Sequence, residues 1–208
     1  MWWLLPVLIA HADPDPAATH RSYAEKIPIA MRERMVGVTW REGCPLALDD
    51  LSLLHVPHHD MDGNIQEGLL IVASEHATAV LQAFSALYEA EFPIRLMRPA
   101  HEFEGSDDAS MAAGNTSAFN CRSITGGSGF SQHSYGHAID INTIENPYVR
   151  GSRVLPPAGT AYTDRADVRP GMITANGPVV EAFSAIGWSW GGSWRSLKDY
   201  QHFSANGR

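Results

Sequence analysis

The order of elements in this 208-residue chain predicts an α+β fold, a single domain with a central, mostly antiparallel sheet, flanking helices and long loops. Three observations carry that expectation. The length suits one domain with a core of its own. The strand and helix patterns run β-β-α-β, loop, β, loop, α-β-β, without the strict alternation of a doubly wound parallel sheet. Residues 101–132 and 143–172 are rich in Gly, Ser, Asp, Asn or Pro and show little periodicity, so they read as long loops.

The elements follow in order. "LSLLHV" (51–56) and "EGLLIVAS" (67–74) have strand patterns, and "HHDMDGN" between them carries the turn marker Asp62-Gly63, so 51–74 reads as a hairpin. Ser74 is placed to cap a helix through its hydroxyl. His76, Val80, Phe84 and Leu87 then recur at helical spacing, with Leu81 and Tyr88 widening the stripe, until Pro93. Residues 93–100 read as another strand. Pro178 opens a short helix with Val179, Phe183 and Ile186 on its apolar face and Gly187 at its end. "WSWGGSW" and "DYQHFS" read as a terminal hairpin.

Composition limits the function classes. Apolar residues make up 44% and charged residues 18%, which is not the balance of a disordered chain. A net charge of −8 argues against a nucleic-acid or anionic-membrane partner. The N-terminal "MWWLLPVLIAHADPDP" holds an apolar run too short to span a bilayer, followed by small residues at Ala10 and Ala12. That predicts an export signal over 1–12, a flexible lead-in over 13–38, and an exported chain without stable membrane insertion. No Lys or Arg precedes the run, so a start upstream or the amino terminus alone supplies the charge. A buried N-terminal strand or helix is the alternative. For an exported chain, the two cysteines Cys44 and Cys121 suggest one disulfide; otherwise they are free buried thiols.

The chemistry gathers in "SQHSYGHAIDIN" (131–142). As a strand, "HAIDIN" turns Ile139 and Ile141 to the core and Asp140 to a cleft. His133 lies an odd number of residues from Asp140, so a straight strand would aim it at the opposite face. Gly136 can turn the chain and bring imidazole and carboxylate together. His202 in "DYQHF" offers a third ligand, and Asp199 stands three residues before it. Three ligands leave an open position, the catalytic arrangement of zinc, with Asp199 as candidate base. Ten histidines also make pairs by chance, so spacing leaves the His133, Asp140 and His202 triad open. His137 reads as incidental. "HVPHHD" (55–60) reads as a solvated turn with adventitious metal binding at most. A serine nucleophile at Ser128 in "GGSGF" is disfavoured, because Phe130 stands where the elbow pattern needs glycine.

"SQHSYGHAID" matches the S-x-H-x-x-G-x-A-x-D signature, and "DYQHF" the second motif, of the zinc D-alanyl-D-alanine carboxypeptidases and L-alanyl-D-glutamate endopeptidases that cut bacterial cell-wall peptides. The chain resembles the exported, carboxypeptidase-like branch of that family from about residue 39 to residue 203. "REGCP", "NTSAFNCR", "NPYV" and "GWSWGGSW" add to the likeness. The resemblance implies a zinc peptidase domain over 39–208. It makes His133, Asp140 and His202 the Zn2+ ligands, Asp199 the general base, and Arg122 the group that pairs with the substrate's carbonyl oxygen or carboxylate. Ser131 would hydrogen-bond substrate near the metal, and Trp188, Trp190 and Trp194 are candidates to wall the cleft or to pack in the core. Many relatives place a glutamine soon after this arginine; here "SITGGSGF" has none, which leaves the outer pocket open. The implied substrate is a peptidoglycan stem peptide and the implied state a monomer. Hydrolysis of the D-Ala-D-Ala type is the first expectation. An L-Ala-D-Glu endopeptidase and a non-enzymatic zinc-containing cell-wall binding domain are the alternatives.

Overall fold

A computed structural model describes residues 21–124 and 129–207. Its first sheet is built on a long hairpin, β2 (Leu51–His59) against β3 (Ile65–Ala73), with β1 (Tyr23–Lys26) antiparallel to the outer side of β2. Asp60 fixes the hairpin turn: its Oδ1 accepts from the backbone N–H of Asp62 and of Asn64, both at 2.9 Å, and Gly63 takes φ +83°. The two-residue period of the strands then divides the interior. Leu51, Leu53 and Ile71 face a smaller cluster with α1 (Ile29–Met35), through Met31 and Met35. Leu54, Val56, Leu70 and Val72 face the larger core, where α2 (Ala77–Glu89) buries Val80, Phe84 and Leu87.

The chain continues through β4 (Leu96–Met97), α3 (Asp107–Ala112), β5 (Asn115–Thr116), β6 (Ala138–Asp140), β7 (Tyr148–Arg150), β8 (Arg153–Leu155), α4 (Pro178–Ala185), β9 (Ser189–Trp190), β10 (Lys198–Asp199) and β11 (His202–Ser204). The fold is α+β, and its strands are divided among small sheets: β1-β2-β3, β6-β11-β9 and β10-β7-β8 are antiparallel, while β4 and β5 pair in parallel. The terminal hairpin forms as Phe203 pairs with Trp190. Phe203, Ile139 and Phe183 of α4 bury their side chains in the larger core, so β6 and β11 are anchored there by their apolar residues. Cys44 and Cys121 form a disulfide with 6.1 Å between Cα atoms. Closing a loop of this length restricts the unfolded chain by roughly 4–5 kcal/mol in the chain-entropy estimate.

Several local expectations change. Within 13–38, the described part is not a flexible lead-in: β1 pairs with β2, and α1 buries Met31 and Met35. Composition missed this because the buried side chains there are few and interleaved with charge. Ser74 caps no helix; its hydroxyl lies 2.8 Å from that of Ser52, and it opens a 3-10 turn, Ser74–His76, ahead of α2. The strand over 93–100 shrinks to β4, and the two long loops contain α3, β5 and the β7–β8 hairpin. "HVPHHD" is not a solvated turn, because β2 runs on to His59. His58 is buried with Nδ1 3.3 Å from the Val56 carbonyl, and His59 stacks on Tyr88. The signal segment 1–12 and Ser128 lie outside the described residues. Among the described residues no helix is long and apolar enough to cross a membrane.

Candidate active site

The signature segment begins with Ser131, whose hydroxyl accepts from the His133 N–H at 3.4 Å and opens a 3-10 turn, Gln132–Tyr135. Gly136 ends the turn at φ +65°, in the left-handed region. Any Cβ there would lie 2.4 Å from the Ala73 nitrogen, whose N–H donates to the Gly136 carbonyl at 3.1 Å. Glycine is therefore required twice, by backbone angle and by the close approach of β3. The turn reverses His133 toward the face of β6 that carries Asp140.

His133 is held in one orientation. Its Nδ1 lies 2.7 Å from the Ala118 carbonyl, which can only accept, so Nδ1 donates there and Nε2 is the ring atom turned toward the cleft. That Nε2 lies 3.2 Å from Asp140 Oδ2. The antiparallel register of β6 and β11 sets His202 directly opposite Asp140, and His202 Nδ1 lies 3.0 Å from Asp140 Oδ1. The ligand atoms of His133, Asp140 and His202 all fall within 4.8 Å of one another, and all three residues are buried. Two imidazoles and one carboxylate at this spacing fit zinc or a similar borderline cation. Burial opposes ionisation of Asp140, but His133 and His202 overcome it and hold the carboxyl well below the usual carboxylate range.

Asp199 reaches the same place from β10, where it pairs with Tyr148 of β7. The close approach depends on Gly191, since a Cβ there would sit 2.7 Å from the Asp199 carbonyl oxygen and 3.3 Å from His202 Cβ. Asp199 Oδ1 is buried without a hydrogen-bond partner among the described residues. Burial pushes this carboxyl up to about 7 against the pull of His202 and His133, with Asp140 and Asp107 adding to the rise. A carboxyl poised near neutrality is what proton transfer requires.

These groups open into a cleft of about 600 Å³ walled by Met111, Phe130, Tyr148, Leu155, Trp194 and Leu197. Ser131 and Arg122 line it as well. Arg122 is fixed through its backbone, whose N–H donates to Ser134 Oγ at 2.9 Å while its carbonyl accepts from that hydroxyl at 2.8 Å. Its guanidinium pairs with Asp107 at 3.0 Å, and its Nε is buried without a partner among the described residues. Of the three tryptophans, only Trp194 lines the cleft, with its ring 5.5 Å from that of His202. Trp188 is buried in the larger core and Trp190 stacks on Phe203.

Sequence reasoning missed Asp107, Gln201 and Arg150, which also line the cleft. The only local signal at Asp107 is Ser106, which caps α3 by accepting from the Ala109 N–H at 3.2 Å. That marks a helix start and says nothing of a cleft. Gln201 sits in the second motif, buried, with Oε1 unpartnered among the described residues.

Residues 125–205 match the model of a family described as D-alanyl-D-alanine carboxypeptidase. The match takes in His133, Asp140, Asp199 and His202 and stops short of Arg122, and no solved structure matches the chain.

Proposed function

We propose that this chain, which matches the model of that family over residues 125–205, is a zinc peptidase that releases the terminal D-alanine from peptidoglycan stem peptides. The observation that carries the reading is the second carboxylate: half-buried Asp199, with Oδ1 buried and unpaired among the described residues, stands beside a preassembled His133, Asp140 and His202 set. A metal held for structure alone has no use for such a neighbour. This disfavours the non-enzymatic binding domain.

His133 through Nε2, Asp140, and His202 through Nδ1 would hold the cation. Zinc bound there supplies a Lewis acid and brings the pKa of water toward neutrality. Asp199 takes the proton of the attacking water and returns it to the departing amine. Negative charge that builds on the former carbonyl oxygen meets the Arg122 guanidinium, which pairs with Asp107 on a backbone that Ser134 fixes. Ser131 keeps His133 in its turn and lines the cleft. The apolar walls exclude water around these groups, which strengthens their fields.

One feature favours the carboxypeptidase over the endopeptidase reading. Arg150 of β7 supplies the cleft with a second guanidinium. One cation serves the oxyanion and the other a free terminal carboxylate, which an internal bond does not present. The test is a synthetic pentapeptide stem incubated with the zinc-loaded protein and read by mass spectrometry. Release of one D-alanine, abolished by chelator, is expected. Asp199→Ala is expected to retain zinc and lose roughly 10²–10⁴-fold in turnover. Cleavage after L-alanine would establish the endopeptidase, and an uncut peptide with a fully loaded protein would leave a binding domain.

A further inference from the structure

Outside the cleft the fold assembles the same donor set a second time. Glu75 and His76 belong to the 3-10 turn Ser74–His76 that leads from β3 into α2. His137 directly follows Gly136 and precedes β6. Glu75 Oε1 lies 3.1 Å from His137 Nε2 and 3.9 Å from His76 Nε2. The two imidazoles meet edge to face with centroids 4.8 Å apart, and the ligand atoms of all three residues fall within 4.8 Å of one another.

Both segments are pinned by backbone bonds close to these side chains. The Ala73 N–H donates to the Gly136 carbonyl at 3.1 Å, and the Ala205 N–H donates to the His137 carbonyl at 3.0 Å. His76 also rests its ring against buried Trp188, with centroids 5.4 Å apart. The two histidines are half-buried and Glu75 is exposed, so the cluster is open to water on one side.

We propose that Glu75, His76 and His137 form a second site for a divalent cation of borderline softness, of the class of zinc, copper(II) or nickel. Zinc about 2.0–2.1 Å from each ligand atom in tetrahedral geometry sets those atoms roughly 3.3 Å apart. The Glu75–His137 edge already has that length. The Glu75–His76 edge is longer by a fraction of an ångström, within reach of a small side-chain rotation. Two imidazoles favour these cations over magnesium or calcium, which take oxygen ligands. Water completes the coordination on the open side. The bound cation ties the start of α2 to the turn that orients His133. It is a clamp on the frame of the cleft, not part of the hydrolytic machinery.

The test is equilibrium dialysis of the full chain against micromolar zinc at neutral pH, followed by metal analysis. Wild type is expected to hold one equivalent more than His137→Gln and one more than Glu75→Gln. His202→Ala is expected to lose a different equivalent, that of the cleft, and to keep this one. The thermal midpoint of wild type should also rise with zinc beyond saturation of the cleft, and that second rise should vanish in His137→Gln. Stem-peptide hydrolysis by His137→Gln should match wild type. Equal zinc content in wild type, His137→Gln and Glu75→Gln would overturn the proposal. Because the readout is the difference between these proteins, a cleft that binds no zinc would leave it intact. Circular dichroism of each variant separates lost binding from lost fold.

Discussion

In the cleft, two imidazoles and a carboxylate converge from three places in the chain, and the pairing of β6 with β11 fixes two of them face to face. Beside α2, two imidazoles and a carboxylate converge as well, but two of the three are sequence neighbours and the group is open to solvent. The donor sets are the same and the surroundings are not. The buried set has Asp199 within its field, Arg122 across the cleft, and apolar walls around the space between. The surface set has Trp188 as its packing partner, and Glu75 is already engaged with His137. Donor atoms decide whether a cation can be held. The groups that face the vacant coordination position decide whether anything can be done with it.

The most severe way to break that contrast is to make the cleft resemble the surface cluster. Arg122→Ala leaves His133, Asp140 and His202 untouched but removes the charge that meets the developing oxyanion. A fall in kcat of roughly 10²–10³ at unchanged zinc content is expected. An unchanged kcat would show that the guanidinium serves only its pair with Asp107. Arg150→Ala should act more gently, raising KM for a free-acid stem peptide about tenfold, the cost of one exposed charge-assisted contact. The same substitution should leave the C-terminally amidated peptide unaffected, and equal effects on both substrates would remove the terminal carboxylate from the reading.

The contrast also marks what the sequence could reveal. The turn at Gly136 and the alternation of "HAIDIN" are local, so the meeting of His133 with Asp140 was legible from a dozen residues. His202 was legible because strand-like aromatics flank it and a carboxylate precedes it. The α+β class followed from the order of elements, yet the division of its strands into separate sheets did not, since several strands have only two or three residues. Asp107 was invisible because its place depends on α3 folding over the cleft, within a stretch whose only local signal is a helix cap. His137 reads as incidental because its partners, Glu75 and His76, lie 62 and 61 positions away in the chain. His58 is hidden for a related reason: a proline and two histidines look like a turn until β3 pairs with them. Contacts made by register or by local turns leave a trace in sequence, and contacts made by the docking of separate elements do not.

The smallest expected effect isolates the electrostatic half of the contrast. Asp199 ionises near 3.9 in an unfolded chain, whereas burial beside Asp140 pushes it up to about 7 in the folded, metal-free protein. Between those two values the folded state binds more protons than the unfolded state. Its stability therefore declines as pH rises from about 4 to 7 and stays reduced above that. Asp140 has the opposite sign: its depressed pKa contributes stability above about 4 that is lost in stronger acid. Asp199→Asn removes only the first contribution. In chelator, the variant should unfold at nearly the wild-type temperature at pH 4 and roughly 10 °C higher at pH 8, the size expected for a chain of this length. The difference should grow through the interval between those pH values. A difference that is flat with pH, or one that favours wild type at pH 8, would mean that Asp199 is ionised in the folded protein and is no more strained there than a carboxylate on the surface.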